Sequence, residues 1–263
     1  MYSNKGCCGK IWLLLSTIIT QALILTMIFG YFKYFVSIVP RREAKILVII
    51  VAGFFSIVFE LNYLFTTFLN PGTIDPIWSN ENLKNVAFKD DYDKERFINL
   101  YPNLEIPRNE GKYYYCFECR IIKPERAHHC STCNKCYLKM EHHCPLVGNC
   151  LGLYNHKYFI KSLIFGTMLG ILIIFTWTKD IFNTNIEGKE EDTDKSIFER
   201  SIRIVSYMCS VIIFFACLIM LIDQSYLASH NMTSVEYTIY ATNVYFSLMI
   251  RETLMIMVVV QRI

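Results

Sequence analysis

The stretch Cys116–Cys150, CFECRIIKPERAHHCSTCNKCYLKMEHHCPLVGNC, holds seven of the chain's eleven cysteines, and five of its six histidines lie between His128 and His156. Cys116-x2-Cys119 is followed by His128-His129-Cys130-x2-Cys133-x2-Cys136, then by His142-His143-Cys144 and Cys150. A two-residue gap lets both thiolates of a C-x2-C pair reach one tetrahedral ion, so this density predicts structural zinc. Scattered cysteines in a secreted domain would instead suggest disulfides. Two closed sites need eight donors; the cluster offers seven cysteines and five histidines, with His156 outlying. At least one cysteine can therefore stay free, although spacing alone does not say which. Cys144 stands apart locally, since it follows two histidines and precedes Pro145, whereas the others sit in C-x2-C pairs or close the cluster. A thiolate is a nucleophile, and a neighbouring imidazole can generate it. His142 or His143 could be that base, with Glu141 holding the ring in the right tautomer. The residues leave two readings open: an acid–histidine–cysteine arrangement, or the second half of a zinc finger.

Outward from the cluster the chain turns apolar. Of its 263 residues 53% are hydrophobic and the net charge is only +3. Four windows, Ile11–Phe32, Ile46–Leu69, Tyr158–Thr178 and Ile204–Ile222, are long enough to cross a hydrocarbon core of ~30 Å, which takes ~20 residues. The first is longer than the roughly 7–15 apolar residues of a signal peptide and lacks a small-residue cleavage site, so it reads as a span. The fold class is thus an α-helical integral membrane protein: four transmembrane helices with a cytosolic, cysteine-rich, two-zinc domain between the second and third. We divide the chain into a cytosolic N-terminus (1–10), helices one and two (11–69), a polar insert (70–157) with the cysteine-rich domain at about 114–160, helices three and four with an acidic luminal loop (158–222), and a cytosolic tail (223–263). No internal repeat or low-complexity tract stands out. Only Glu60 and Lys161 are ionisable in or near the spans, which argues against a channel or transporter.

Zinc thiolates and a free nucleophile need a reducing compartment, which places the insert in the cytosol. The short basic loop around Pro40–Lys45 carries the opposite signal. The insert, however, has twelve Lys and Arg of its own, and Lys5 and Lys10 flank the first span on the same side.

The segment Cys116–Phe159, through CFEC, KPERAHHCSTCNKC, KMEHHCP and GNCLGLYNHKYF, resembles the cysteine-rich domain of the DHHC-type protein S-acyltransferases, or palmitoyltransferases. Two spans on either side match that family's architecture. Asn70-Pro71-Gly72 is similar to its Asp-Pro-Gly, Thr233-Ser234-Val235-Glu236 to its Thr-Thr-x-Glu, and Asn243-Val244-Tyr245 to a fragment of a later motif. The resemblance implies one zinc on Cys116, Cys119, His129 and Cys136, and a second on Cys130, Cys133, His143 and Cys150. It makes Cys144 the acyl-carrying nucleophile, His142 its base and Glu141 the orienting carboxylate. Palmitoyl-CoA becomes the acyl donor, its phosphates attracted by Lys123 and Arg126. Cytosolic or membrane-associated proteins with cysteines near the bilayer become the acceptors. The lipid bilayer is a partner and nucleic acid is not. The expected location is the Golgi, endoplasmic reticulum or plasma membrane, with the active site facing the cytosol.

Two departures fall in the key stretch. Glu141 stands where the family has Asp, and Leu146 where it has Trp, so the alternative reading is a catalytically weakened zinc scaffold. Gly166, Gly170 and Ala216 are expected to serve helix packing rather than to shape an acyl cavity. Cys7 and Cys8 are candidate S-acylation sites. The tail SLMIRETLMIMVVVQRI reads either as an amphipathic, membrane-facing helix or as a divergent end that packs differently.

Overall fold

The structure, a computed structural model, describes residues 8–39, 41–81, 83, 86–87, 91–100, 113–186 and 194–245. Cys7, the side chain of Cys8 and the last eighteen residues, where the tail helix is expected, lie outside that set. The chain divides into two compact units, Met1–Pro71 with His143–Gln224, and Gly72–His142 with Ser225–Ile263.

The first unit is built on four long helices: α1 (Cys8–Gly30), α3 (Arg42–Phe68), α6 (His156–Ile186) and α7 (Asp194–Ser229). All four are long and apolar enough to cross a membrane. The windows Tyr158–Thr178 and Ile204–Ile222 lie within helices that run further, whereas Ile11–Phe32 ends two residues past α1 and Ile46–Leu69 one residue past α3. After Gly30, α1 continues through one π-helical turn (Tyr31–Phe35) into α2 (Val36–Ile38). Tyr31 is fully buried there, edge-on to Trp177 and hydrogen-bonded to Thr176 at 3.0 Å. Outward faces carry Leu14, Ile18, Phe54, Phe175 and Ile219, all exposed. Apolar outside as well as inside is the composition of a helix bathed in lipid. A Cβ on Gly166 would stand 2.8 Å from Cys217 Sγ, and one on Gly170 2.7 Å from Phe214 Cβ. These glycines therefore let the third and fourth spans approach closely, as expected. The lone acid of the second span, Glu60, accepts a short hydrogen bond from the Gln21 amide of the first.

Polar side chains tie β7 (Asn149–Leu151) to the end of the second span. The last carbonyls of a helix have no partner within it. Asn149 Nδ2 donates to the carbonyls of Thr66, Thr67 and Leu69 at 3.3, 3.1 and 2.9 Å. Fully buried Asn155 donates to Thr66 O and Cys150 O, and its Oδ1 accepts the Gly152 N–H. The asparagines of GNC and YNH are thus caps for α3.

The second unit is small. Two short helices, α4 (Pro76–Glu81) and α5 (Asp91–Leu100), accompany β1 (Val86–Ala87), β2 (Tyr113–Cys116) and β3 (Ile121–Lys123). The three strands form one sheet, with β1 parallel and β3 antiparallel to β2. A separate hairpin pairs β4 (His128–Cys130) with β5 (Lys135–Tyr137). Among the described residues its apolar clusters are Val86, Phe97, Tyr115 and Ile122 in one, and Ile74, Cys116, Ala127 and Cys136 in another. A helix of the tail, α8 (234–245), completes the unit.

Asn155→Ala should lower stability by about 1–3 kcal/mol, the cost of leaving buried carbonyls unpaired. Thermal unfolding of the purified protein would read this; an unchanged midpoint would mean that water satisfies those carbonyls.

Candidate active site and metal centres

The first donor set is complete within the second unit. Cys116 ends β2, Cys119 sits in the β2–β3 turn, and His129 faces Cys136 across the β4–β5 ladder. His129 Nδ1 lies 3.2 Å from Cys119 Sγ, 3.7 Å from Cys116 Sγ and 3.8 Å from Cys136 Sγ. With Zn–S about 2.3 Å and Zn–N about 2.0–2.1 Å, the corners of a tetrahedron stand about 3.6–3.8 Å apart, so the set fits that ion. The thiols reflect their crowding. Cys116 falls to about 5, chiefly through a hydrogen bond from the Cys136 thiol. Cys136 is pushed up by the same bond, and Cys119 by burial and then by the charge on Cys116. Sulfurs this close disfavour carrying several negative charges at once, and a bound cation would relieve that repulsion.

Among the described residues, two Cys/His clusters could hold metal ions. The donors of the second divide between the two units. In one, Cys133 N–H donates to Cys130 Sγ at 3.4 Å; in the other, His143 Nδ1 lies 3.4 Å from Cys150 Sγ.

A short repeat, missed in the sequence, explains the odd cysteine. The β4–β5 hairpin reads HHCSTCNKC (128–136); strands β6 (His142–Cys144) and β7 read HHCPLVGNC (142–150). Both have three-residue strands joined by a four-residue turn whose last residue is left-handed, Asn134 at φ 53° and Gly148 at φ 62°. Cys144 matches Cys130 in this alignment, while Val147 takes the place of Cys133. The second sulfur of the C-x2-C pair is therefore replaced by a methyl pair, and Cys144 has no chelating mate.

Cys144 is 1% exposed and packs in the apolar core of the first unit with Val147, Leu151 and Phe159. Burial pushes its thiol up, partly offset by hydrogen bonds from the Val147 and Leu146 backbone N–H groups. Strand alternation puts the His142 and Cys144 side chains on one face of β6 and His143 on the other. The loop after Cys144 is pinned to the spans: Ser16 Oγ donates to Pro145 O at 2.7 Å and Tyr63 Oη to Leu146 O at 2.9 Å. Nothing in the sequence pairs these residues, which lie 129 and 83 positions apart.

Buried Glu141 accepts hydrogen bonds from the Ser234 backbone N–H and hydroxyl at 2.9 and 2.5 Å. Ser234 opens α8, so the carboxylate lies at a helix N-terminus, where backbone dipoles favour negative charge. The TSVE motif is itself a capping box. Thr233 Oγ1 accepts the Glu236 N–H at 3.2 Å, and Glu236 Oε2 accepts the Thr233 N–H at 2.7 Å. Glu236 also binds Arg126 Nε and Nη2 at 2.7 and 2.8 Å, and Arg126 reaches Asn231. The guanidinium expected to meet CoA phosphates is thus committed to Glu236. Lys123, at the end of β3, has no such carboxylate partner among the described ion pairs.

Four membrane-crossing helices with a sulfur-rich insert after the second define a multi-pass membrane protein with a Cys/His metal-binding domain. Its sequence matches the model of the DHHC palmitoyltransferase family over residues 109–241, just over half of the chain, and the protein belongs to that family. Among curated proteins it is similar to palmitoyltransferase ZDHHC20-A of Danio rerio, with 31% identity over 183 residues, 61% of this chain and 50% of that one. Probable protein S-acyltransferase 16 of Arabidopsis thaliana is 30% identical over 136 residues, 52% of this chain and 46% of its own. Palmitoyltransferase PFA3 of Eremothecium gossypii is 45% identical over 69 residues, 26% of this chain and 21% of its own. The chain spans half the length or less of these relatives.

Cys136→Ala should reduce bound metal by about one equivalent and loosen the Gly72–His142 unit, since such domains fold with their ion; elemental analysis and proteolysis would read both. Burial raises the Glu236 carboxyl, but hydrogen bonds from Arg126 and Thr233 outweigh it and hold the group below its usual range. A lowered carboxyl stabilises above its unfolded pKa and loses that contribution as pH falls through the lowered value. Glu236→Gln should therefore be less stable than the parent at neutral pH and converge with it in acid, as followed by thermal unfolding against pH.

Proposed function

We propose that the protein is a protein S-acyltransferase with Cys144 as its nucleophile. The observation that carries this reading is Val147 in place of a metal-ligating cysteine: it leaves Cys144 as the one cluster thiol outside both donor sets. The proposed metal is zinc in both. Each set offers four donors and no open position, so the ions would be structural and would fix the hairpins.

Because burial disfavours the Cys144 thiolate, a base is needed, and His142 supplies it from the same strand face. Glu141 would act as the carboxylate behind His142, itself fixed by Ser234. His142 takes the Cys144 proton and the sulfur attacks the thioester carbonyl of a long-chain acyl-CoA, most simply palmitoyl-CoA. The carbon–sulfur bond to CoA breaks, and the CoA thiolate leaves with the proton returned by the imidazolium. A substrate cysteine then gives its proton to His142 and displaces Cys144 from the acyl carbon. The product is a new thioester, with no change of oxidation state. Lys123 remains a candidate contact for the CoA phosphates. Thiolate chemistry favours a cytosolic site, in an endomembrane or the plasma membrane, and acceptors would be proteins with cysteines close to the bilayer.

Incubated with clickable palmitoyl-CoA, the wild type should acquire a hydroxylamine-labile label that Cys144→Ser loses with its zinc content intact. His142→Ala should slow that labelling by about 10²–10⁴-fold, the usual worth of general acid–base catalysis. An unlabelled wild type with full zinc would instead identify a scaffold. Protease protection of tags should leave the 70–157 insert accessible from the cytosol and the Ser37–Lys45 loop protected; a cytosolic Ser37–Lys45 loop would reverse the topology.

A further inference from the structure

The turn after Cys144 keeps part of a metal-binding turn without its second sulfur. In the β4–β5 hairpin the Cys133 N–H donates to Cys130 Sγ at 3.4 Å, and both residues belong to a donor set. Cys144 accepts from the matching position, the Val147 N–H, and also from the Leu146 N–H before it. Val147 has replaced the chelating partner, yet the backbone donors remain. Successive N–H groups that converge in this way form a concave site for negative charge. Cys144 and Val147 are both buried, so water does not compete for these donors.

The carbonyls of the same two peptide groups are held from the membrane spans. A trans peptide points its C=O and N–H in opposite directions, so a donor on the oxygen fixes where the N–H aims. The peptide that carries the Leu146 N–H has the Pro145 carbonyl at its other end. That oxygen accepts from Ser16 Oγ of α1 at 2.7 Å and from the Gly148 N–H at 3.3 Å. The peptide that carries the Val147 N–H has the Leu146 carbonyl, which accepts from Tyr63 Oη of α3 at 2.9 Å. Hydrogen bonds in a chain polarise one another, most strongly where the dielectric is low. Each hydroxyl therefore strengthens the N–H···S bond on the far side of its peptide.

We propose that Ser16 and Tyr63 are positioning residues for acyl transfer: acting through the 145–146 and 146–147 peptides, they aim two backbone N–H groups at Cys144 Sγ and stabilise the negative charge this sulfur carries as it attacks the acyl donor and again as it departs. The proposal rests on the acyl-transfer reading above. Any donor would satisfy two buried carbonyls. What distinguishes this pair is that both carbonyls belong to the peptides whose N–H groups face the reacting atom. At Cys130 a metal ion would meet the charge on sulfur, whereas at Cys144 the loop offers the two aligned peptide dipoles.

Single-turnover acylation by clickable palmitoyl-CoA, on the full chain in lipid nanodiscs, tests it, with zinc content and thermal midpoint measured for every variant. Tyr63→Phe and Ser16→Ala should each lower the maximal acylation rate about tenfold, less than the 10²–10³ lost with a direct donor. The palmitoyl-CoA concentration at half-maximal rate should stay the same, because the bound thioester does not yet carry the charge. Transfer from the pre-acylated protein to a cysteine peptide should slow by a similar factor, since the same sulfur is then the leaving group. Ser16→Thr and Tyr63→p-aminophenylalanine each keep a donor and should recover most of the rate, whereas Tyr63→O-methyltyrosine should not. If Tyr63→Phe does not fold, the Ser16→Ala and Ser16→Thr pair decides the matter. Equal slowing with and without a donor overturns the proposal in favour of packing alone, as does a raised half-saturation at an unchanged maximal rate. A wild type that palmitoyl-CoA does not acylate overturns the acyl-transfer reading and this one together. An acylated wild type that the donor-lacking variants match in rate overturns this one alone.

Discussion

Three cysteine sulfurs and an imidazole nitrogen held within 4.8 Å of one another form an arrangement that only a cation makes stable. Hydrogen bonding from Cys136 lowers the Cys116 thiol, while the Cys136 and Cys119 thiols are pushed up. Among the described residues of the Gly72–His142 unit, strands of two to four residues and two small apolar clusters are the other elements to fold around. A core of that size rarely sustains a domain, and metal ligation is the usual supplement. The first donor set is therefore the constraint on which the hairpins, and the residues that follow them, depend.

The membrane unit relies on a different device. Lipid offers no hydrogen bonds, so every backbone group near the end of a span must find a protein partner. Asn149 and Asn155 supply the last carbonyls of α3, while Ser16 and Tyr63 supply those of Pro145 and Leu146. The same bonds that satisfy the backbone fix the loop behind Cys144. Leu146 is half-exposed and its side chain carries no donor. Its backbone carbonyl, rather than its side chain, makes the connection. The Glu141 carboxylate is similarly anchored, since it reaches the capped start of α8 and lies where helix dipoles favour its charge.

Much of this was readable before the fold was seen. The four spans follow from apolar length, C-x2-C spacing predicted bound metal, and the family resemblance implied which residues form each donor set. Ligand counting showed that a cysteine could be spare. The reason it is Cys144 was also present, in the alignment of HHCSTCNKC with HHCPLVGNC, but a nine-residue repeat with one changed ligand does not register as a repeat until both copies are seen as hairpins. Arg126 reads as a solvent-facing base near a CoA site, and only Glu236, 110 residues later, shows otherwise. The Thr-x-x-Glu motif carried a capping-box signature that could have been recognised locally.

The sequence by itself determined the elements whose chemistry is local: membrane helices set by composition, and donor pairs set by a turn of fixed length. Within a hairpin, neighbours along the chain are neighbours in space, so spacing is geometry. Tertiary structure alone decided that Tyr63 closes over the Leu146 carbonyl and that Ser234 holds Glu141. Those contacts join residues 83 and 93 positions apart. No periodicity encodes them, because each depends on where two independently formed elements come to rest.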